Sequence, residues 1–273
     1  MKTAAQDLSE KNTARAFSAQ APVFDHIYTT DRIIQYKRER VRAHIEQHLK
    51  PGSTILELNA GTGEDALYFL QKGHRVYATD LSAKMLEQLA KKTAAFKQQN
   101  MISQQELSYH DLESLHNNGP YDYIFSNFAG LNCTGSLDQV LNQLPALLKP
   151  GGIVTLVILP GFCLWEFLLL FRGKIHTAFR RFFASKGRAA KINDHHFRCW
   201  YYNPSYVINC LEESCELLSV EGLCTIVPPS YIENFAVKYP RLFRWLYQKE
   251  MAYKQSWPWK HIGDYYIISF RKK

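Results

Sequence analysis

The sequence predicts an α/β fold, a mostly parallel sheet of seven strands with helices on both faces. Strands and helices alternate from residue 54 onward, and this alternation is typical of a parallel sheet. The first and fifth predicted strands, ILEL and IVTLVIL, are strongly apolar, as expected for strands that are covered on both faces. With 273 residues and 46% hydrophobic composition, the chain can bury a substantial core, and we predict one domain with insertions.

Each predicted element follows from a local run of apolar residues bounded by turn residues. The strand ILEL ends at a glycine-rich loop, the fifth strand follows the turn Lys149-Pro-Gly-Gly152, and the last strand is DYYIISF. The predicted strands span residues 54–58, 75–80, 107–111, 121–128, 153–159, 217–226 and 264–270. The predicted helices span residues 64–72, 84–98, 136–148 and 205–213.

The stretch ILELNAGTGED, residues 55–65, changes abruptly from apolar to glycine-rich and then to acidic. It predicts a buried strand, a loop over residues 59–63 and a helix that begins near Glu64. Such a loop directs backbone N–H groups and the positive end of a helix dipole at whatever binds above the sheet edge. Gly61, Gly63 and Ala66 also satisfy the pattern G-x-G-x-x-G/A, so NAD is one alternative ligand.

Polar residues stand at the carboxyl ends of the next three predicted strands, where ligands bind in an open parallel sheet. The second strand ends in Asp80, the third in Asp111 and the fourth in Ser126-Asn127-Phe128. A carboxylate at the first of these positions suits the two hydroxyls of a ribose, and Asp111 suits the exocyclic amine of adenine. Together they indicate a nucleoside along the sheet edge, with its tail over the glycine loop.

Residues 55–159 resemble a class I S-adenosylmethionine-dependent methyltransferase. ELNAGTG resembles the first motif of that family, VYATDLS the second, YHDL the third, and YDYIFSNF with LLKPGG the later motifs. The resemblance implies a Rossmann-like fold and an enzyme that uses S-adenosyl-L-methionine and releases S-adenosyl-L-homocysteine. The family commonly has Gly where this chain has Asn59, a residue type that tolerates a left-handed backbone.

The resemblance also implies a role for each motif residue. Gly61 and Gly63 would let the backbone approach the methionine part, Glu57 would orient the loop and the amino group, and Asp80 would hold the ribose. Leu81 and Met85 would flank the adenine, and Asp111 with Leu112 would address its edge. Asn127 would lie beside the methionine part and the acceptor. The implied cofactor-binding residues are Glu57, Asn59, Gly61, Gly63, Asp80, Leu81, Met85, Asp111, Leu112 and Asn127.

Two long excursions leave the predicted sheet above the cofactor edge, and we predict that they form a helical and aromatic cap. The first is apolar and basic, without Asp or Glu between Glu166 and Asp194, and the second is rich in aromatic residues. The predicted division is an N-terminal helical lid (1–50), a cofactor-binding core (51–160), a basic and apolar cap (161–204) and the end of the core sheet (205–273), with the aromatic cap at 228–263. The lid would close the site with Phe17, Phe24, Tyr28 and Tyr36, at near-helical spacings.

An aromatic cap suggests a sizeable, largely apolar acceptor, because such pockets combine aromatic walls with a few polar groups. Pro228-Pro-Ser-Tyr231 and Gly263-Asp-Tyr-Tyr266 resemble a bacterial small-molecule subgroup of the family, which implies a role in secondary metabolism. The sequence SNFAGLNC differs from the Asn/Asp-Pro-Pro-aromatic pattern of enzymes that methylate nucleic-acid bases. Methylation of RNA or protein through the basic insertion is an alternative, since the net charge is +8. A module that binds the cofactor without catalysis is a further alternative.

A hydroxyl acceptor needs a base within hydrogen-bond reach, because phenols and alcohols are mostly neutral at pH 7. His195 and His196, between the basic stretch and FRCWYY, are the candidate catalytic bases. The basic stretch is compatible with an anionic substrate, a carrier-bound acyl chain or peripheral contact with an acidic membrane. Nucleic acid is not expected as a partner.

The first twelve residues are polar, and the longest apolar run, residues 162–171, is shorter than the roughly 18 residues of a membrane-spanning helix. We therefore expect a cytoplasmic protein without a transmembrane segment. The six cysteines show no zinc-binding spacing, so we expect reduced packing residues and no metal.

Overall fold

The computed structural model describes residues 4–184, 186–192 and 194–273, with the side chains of residues 4–7, 28 and 29 outside the described part. Nine strands are present in this part of the chain. They are β1 (Thr54–Leu58), β2 (Arg75–Asp80), β3 (Ile102–Glu106), β4 (Tyr121–Ser126), β5 (Leu148–Ile158), β6 (Arg188–Ile192), β7 (His195–Cys199), β8 (Cys215–Leu223) and β9 (Tyr265–Lys272). The helices are α1 (Ala4–Thr29), α2 (Arg32–Glu46), α3 (Glu64–Gln71), α4 (Ala83–Lys92), α5 (Ala94–Lys97), α6 (Leu137–Leu141), α7 (Leu144–Leu147), α8 (Leu164–Leu168), α9 (Ile175–Ala178), α10 (Pro204–Leu211), α11 (Phe235–Lys238) and α12 (Pro240–Tyr253).

Seven strands form one sheet in the order β3-β2-β1-β4-β5-β9-β8. The first five in this order are parallel, and β9 is antiparallel to both of its neighbours. Strands β6 and β7 form a separate antiparallel hairpin. The predicted seven-stranded, mostly parallel sheet is therefore confirmed.

The predicted position of the third strand was wrong. It lies at Ile102–Glu106, not at residues 107–111. This strand is at the edge of the sheet, and its sequence ISQQE exposes most of its side chains, so it lacks the apolar pattern of a buried strand. The apolar residues Leu107, Tyr109 and Leu112 belong instead to the loop and 3₁₀ turn that follow.

The helices cover both faces of the sheet. Successive strand residues point to opposite faces, so Leu56 and Ile124 pack in one apolar cluster while Ile55 and Phe125 pack in the other. Two predicted helices are shorter than expected. Residues 84–98 divide into α4 and α5 at Thr93, and residues 136–148 divide into α6 and α7.

The two long excursions are built from short helices and the hairpin. Helices α8 and α9 and the β6–β7 hairpin lie between β5 and α10, and α11 and α12 lie between β8 and β9. Helix α1 packs against α4 and the hairpin, with the Phe17 and Phe197 ring centroids 5.7 Å apart. Among the described residues, every helix is too short or too polar to cross a membrane.

Candidate functional site

A cavity of about 130 Å³ lies at the carboxyl end of β1, between the loops that follow β1, β2 and β4. Helix α1 closes it from the other side. Seven of the ten predicted cofactor residues line this cavity: Glu57, Asn59, Gly61, Asp80, Leu81, Met85 and Asn127. Its wall from α1 contains Thr13, Ala14, Phe17 and Phe24. The fold therefore brings residues from distant parts of the sequence to one edge of the sheet.

The glycine loop depends on backbone that most residues disfavour. Gly61 and Gly63 have φ of +56° and +79°, in the left-handed region. A Cβ on Gly63 would lie 2.6 Å from Cγ of Leu89, whereas the space around a Cβ on Gly61 is open. Asn59 also has a positive φ, +56°, and its Nδ2 donates to Ser126 Oγ at 2.8 Å. Asn59 is thus accommodated in the loop and tied to the end of β4.

Glu57 places a buried carboxyl group in the cavity wall. Its side chain is almost completely buried, and its Oε2 has no hydrogen-bond partner among the described residues. Burial, and then the charge of Asp65, raises the pKa of Glu57 well above its usual value. Buried polar atoms are normally paired, so this oxygen is suited to a donor from a bound molecule, above all a cationic one.

Asp65, on the first turn of α3, joins the cavity to helix α2. Its carboxylate accepts from Arg38 Nη1 at 3.1 Å, from Arg42 Nε at 2.7 Å and from Asn127 Nδ2 at 2.7 Å. Burial alone would raise the pKa of Asp65, but the two guanidinium groups and Asn127 lower it below its usual value. Asn127 and Arg38 both line the cavity, so this network fixes two of its polar side chains.

Asp80 holds the glycine loop against the end of β2. Its two carboxylate oxygens accept from the backbone N–H groups of Gly61 at 2.9 Å and Ser82 at 2.8 Å. Burial raises the pKa of Asp80, although these hydrogen bonds oppose the shift. Each carboxylate oxygen has two lone pairs, so Asp80 retains capacity to accept hydroxyl donors from a ligand.

The three other predicted cofactor residues lie outside the cavity lining. Gly63 is the N-cap of α3, directly below the loop. Asp111 lines a separate cleft beside Leu81, and Leu112 is buried in the apolar core. The shift of β3 toward the N-terminus explains the last two positions, because residues 107–111 form a loop and not the end of a strand. Tyr109 reaches the cavity from this loop instead.

Helix α1 is bonded to the loops beneath it. Ser18 Oγ lies 2.7 Å from Ser82 Oγ, and Asp25 accepts from Thr62 Oγ1 at 2.5 Å and from Lys92 Nζ at 2.8 Å. Among the aromatic residues predicted to close the site, Phe17 and Phe24 line the cavity. Tyr36 points elsewhere and donates to Glu250, and the side chain of Tyr28 lies outside the described part.

A second and larger cavity, of about 830 Å³, lies between the N-terminal half of α1, the loop after β4 and the hairpin. Cys133 lines both cavities, so they adjoin at this residue. The wall of the larger cavity includes Leu8, Phe197 and Trp200 with the polar residues His196 and Arg198. It therefore combines an apolar surface with groups that bind or exchange protons.

The two candidate histidines are distinguished by the hairpin. Both are exposed residues of β7, but only His196 is part of the lining of the larger cavity.

A buried ion-pair network anchors the first excursion to the sheet. Glu166 accepts from Arg180 and Arg181, and Arg181 also donates to Asp264 at 2.8 Å, just before β9. Burial alone would raise the pKa of Glu166, but the two guanidinium groups lower it below its usual value. Cys163, Glu166 and Asp264 converge as metal ligands do, yet the arginines already hold the two carboxylates. The cluster therefore acts as a structural anchor.

Arg38 and Asp65 were missed in the sequence analysis, although they belong to this site. The available signal was two basic residues four apart in the predicted helical lid, Arg38 and Arg42, and an acid, Asp65, next to the glycine loop. Nothing in the local pattern pairs these residues, because 27 positions separate Arg38 from Asp65.

Comparison with known proteins finds similarity in the part of the chain that contains the strands β1, β2 and β4 of this site. Residues 56–154 match the model of a methyltransferase domain. A malonyl-[acyl-carrier protein] O-methyltransferase of Salmonella typhimurium is 31% identical over 107 residues, which are 39% of this chain and 39% of that protein. A hybrid PKS-NRPS synthetase of Hapsidospora irregularis is 32% identical over 126 residues, 45% of this chain and 3% of the synthetase. The chain thus matches well under half the length of either protein.

Solved structures share the fold at low sequence identity. The Burkholderia thailandensis 1,6-didemethyltoxoflavin-N1-methyltransferase, with 1,6-didemethyltoxoflavin and S-adenosylhomocysteine bound, has a TM-score of 0.58 and 16% identity, covering 100% of this chain and 92% of that chain. The magnesium protoporphyrin IX methyltransferase of Synechocystis, with S-adenosylhomocysteine bound, has a TM-score of 0.55 and 14% identity, covering 88% and 83%. Both likenesses show the Rossmann-like fold.

Proposed function

We propose that the chain, whose residues 56–154 match the model of a methyltransferase domain, transfers the methyl group of S-adenosylmethionine to a small, largely apolar or aromatic acceptor, at a hydroxyl oxygen. The cofactor would occupy the cavity at the end of β1. The acceptor would occupy the larger cavity under α1 and the hairpin, whose volume of about 830 Å³ is within the usual range for small-molecule sites.

The observation that carries the proposal is the unpaired Oε2 of Glu57. A primary ammonium group on the ligand would pair with this oxygen and remove the cost of its burial. Arg38 lines the same cavity and provides a cation for a carboxylate. A carboxyl group and a guanidinium in one small cavity suit the zwitterionic methionine end, and Asp80 would accept from the ribose hydroxyls.

S-adenosylmethionine supplies an activated methyl group, so the protein has to hold the acceptor oxygen in line and to remove its proton. Correct positioning contributes up to about 7–11 kcal/mol to such reactions. We assign proton removal to His196, because its imidazole lies in the wall of the larger cavity and histidine readily exchanges protons near neutral pH. His195 serves as the matched residue outside that wall.

Thermal unfolding with added ligands tests the cofactor. A ligand at about 100 times its dissociation constant adds roughly 2.7 kcal/mol to stability, which raises the midpoint by several degrees. We expect this shift with S-adenosylmethionine and S-adenosylhomocysteine, and no shift with NAD. A shift with NAD alone would assign the chain to nicotinamide chemistry instead.

Release of S-adenosylhomocysteine in the presence of phenols and apolar alcohols tests the acceptor class. With the best acceptor, His196→Ala is expected to lower turnover by about 10²–10⁴-fold, while His195→Ala retains it. Equal turnover in the two variants would show that another group removes the proton.

A carrier-bound acceptor is the second candidate, favoured by the relative named as a malonyl-[acyl-carrier protein] O-methyltransferase. Comparing a malonyl carrier protein with free malonate and phenolic acceptors would rank the two candidates. The cytoplasmic location stays a prediction.

A further inference from the structure

Helix α12 is held against the core by one face. Phe243 and Leu246 pack against the apolar core, and the rings of Phe243 and Tyr36 lie 6.0 Å apart. Glu250, from the same face, is buried and accepts the backbone N–H groups of residues 224–227 at 2.7–3.0 Å. Phe243, Leu246 and Glu250 are spaced by three and four residues, as expected for one stripe of a helix. The orientation of α12 is therefore fixed.

A second apolar stripe of α12, next to the buried one on the helix surface, faces solvent. Leu242, Trp245 and Tyr253 are exposed, with 53% of Trp245 accessible. They share the spacing of one helix face with Lys249, whose Nζ lies 5.7 Å from the Trp245 ring centroid. Trp257, just beyond the helix, is 80% exposed. Exposed apolar side chains grouped in this way are characteristic of interaction surfaces.

The exposed face of α12 is also positively charged. Arg241, Arg244 and Lys249 are exposed, whereas the one acidic residue of the helix, Glu250, is buried against the backbone of residues 224–227. The helix thus offers tryptophan, leucine and tyrosine side chains together with cations, and no carboxylate.

We propose that this face of α12 binds an anionic lipid surface, with the helix lying in the plane of the interface. Helices with apolar side chains flanked by Lys and Arg bind in this way, through burial of the apolar side chains and attraction to acidic headgroups. Trp and Tyr favour the boundary between headgroups and acyl chains. The helix has 14 residues, too few to span a membrane.

A lipid surface fits this face better than two other partners. In a symmetric dimer built on α12, Arg241 and Arg244 of both copies would lie close together, and each chain carries a net charge of +8. A folded acidic protein would need grooves for the protruding Trp245 and Trp257, whereas a fluid lipid interface accepts protruding side chains without them.

Cosedimentation with lipid vesicles tests the proposal on the full chain. We expect binding to vesicles of phosphatidylcholine and phosphatidylglycerol in equal parts, and little binding to phosphatidylcholine alone. Arg241→Gln/Arg244→Gln should weaken binding by roughly 25-fold, about fivefold per cation. Trp245→Ala should weaken it by about tenfold. Phe183→Ser is the matched control, because Phe183 is 76% exposed in the other basic region and should not affect binding.

The unfolding midpoint of each variant, measured alongside, separates misfolding from loss of binding. Failure of the wild-type chain to sediment with anionic vesicles would overturn the proposal, as would equal binding to neutral vesicles. An equal loss in Phe183→Ser and Trp245→Ala would overturn the assignment to α12. A dimer in sedimentation equilibrium that is abolished by Trp245→Ala would assign the face to a second copy of the chain.

Discussion

The end of the sheet at β1, β2 and β4 differs in kind from the two excursions that cover it. At the sheet end, polar residues follow buried strands, and each lies where the strand ends. In the excursions, short helices are fixed by a few buried charges, such as Glu166 and Glu250, and leave large apolar side chains exposed. A cofactor site can therefore be predicted from strand positions, whereas an acceptor or partner surface depends on contacts between distant elements.

The strongest test of this comparison is to break the anchor of the first excursion. Glu166→Gln would leave the buried Arg181 with Asp264 alone, and breaking such a buried pair costs about 3–5 kcal/mol. We expect one cooperative urea transition at lower denaturant concentration, because Arg181 also donates to the backbone carbonyls of residues 160 and 264, beside β5 and β9. Lys191→Ala, which removes an exposed ion pair, should have no measurable effect. Two separate transitions would mean that the excursion folds independently of the sheet.

The second test separates the two glycines of the loop. Gly63→Ala should cost about 2–4 kcal/mol of stability, because it combines a left-handed backbone with a clash against Leu89. Gly61→Ala should cost only about 1–2 kcal/mol, since the space around its Cβ is open. Gly61 lines the cavity, so Gly61→Ala should weaken S-adenosylhomocysteine binding by about tenfold or more. Calorimetric titration and urea unfolding of both variants measure these effects, and identical profiles would contradict the distinction.

The third test uses the raised pKa of Glu57. A raised carboxyl pKa means that the folded state loses stability as pH rises from the unfolded pKa through the folded pKa. Glu57→Gln should therefore stabilise the ligand-free protein at neutral pH and weaken S-adenosylhomocysteine binding by about 10–100-fold, as expected for loss of a hydrogen bond to a charged group. Binding to the wild-type chain should strengthen with rising pH through the same range. An unchanged affinity in Glu57→Gln would remove Glu57 from the cofactor site.

The smallest effect is expected at Asn59. Asn59→Gly loses the hydrogen bond to Ser126 but relieves a left-handed backbone, so stability should change by less than about 1 kcal/mol. Asn59→Val, which places a β-branched residue at the same φ, should be clearly destabilising. Thermal unfolding of both variants measures the difference. A large loss in Asn59→Gly would show that the side chain, and not the backbone, maintains the loop.

The sequence was sufficient to predict most of the fold because each buried strand is a recognisable run of apolar residues. Strands β1 and β2 have their predicted bounds, and Glu57 and Asp80 follow from strand ends. Strand β3 was misplaced because an exposed edge strand has no apolar pattern. Asp111 and Leu112 were consequently assigned to a strand end that lies elsewhere.

The parts that were not predicted depend on contacts between distant residues. Asp65 gains its role from Arg38 and Arg42, and Glu250 from the backbone of residues 224–227. Likewise, only the hairpin geometry separates His196 from His195. The assignment of a base among the histidines and the predicted division into lid, core and caps remain predictions.

The hydrogen bonds that hold α1 over the smaller cavity also affect the rate of ligand entry and product release. The cavity beneath this helix, about 130 Å³, is smaller than the roughly 300–1,000 Å³ typical of ligand pockets. Under the proposed function, the bonds from Ser18 and Asp25 to the loops must break before a nucleoside enters, and again before the product leaves. The opening frequency of a single helix would then limit the number of turnovers per second, however fast the chemical step.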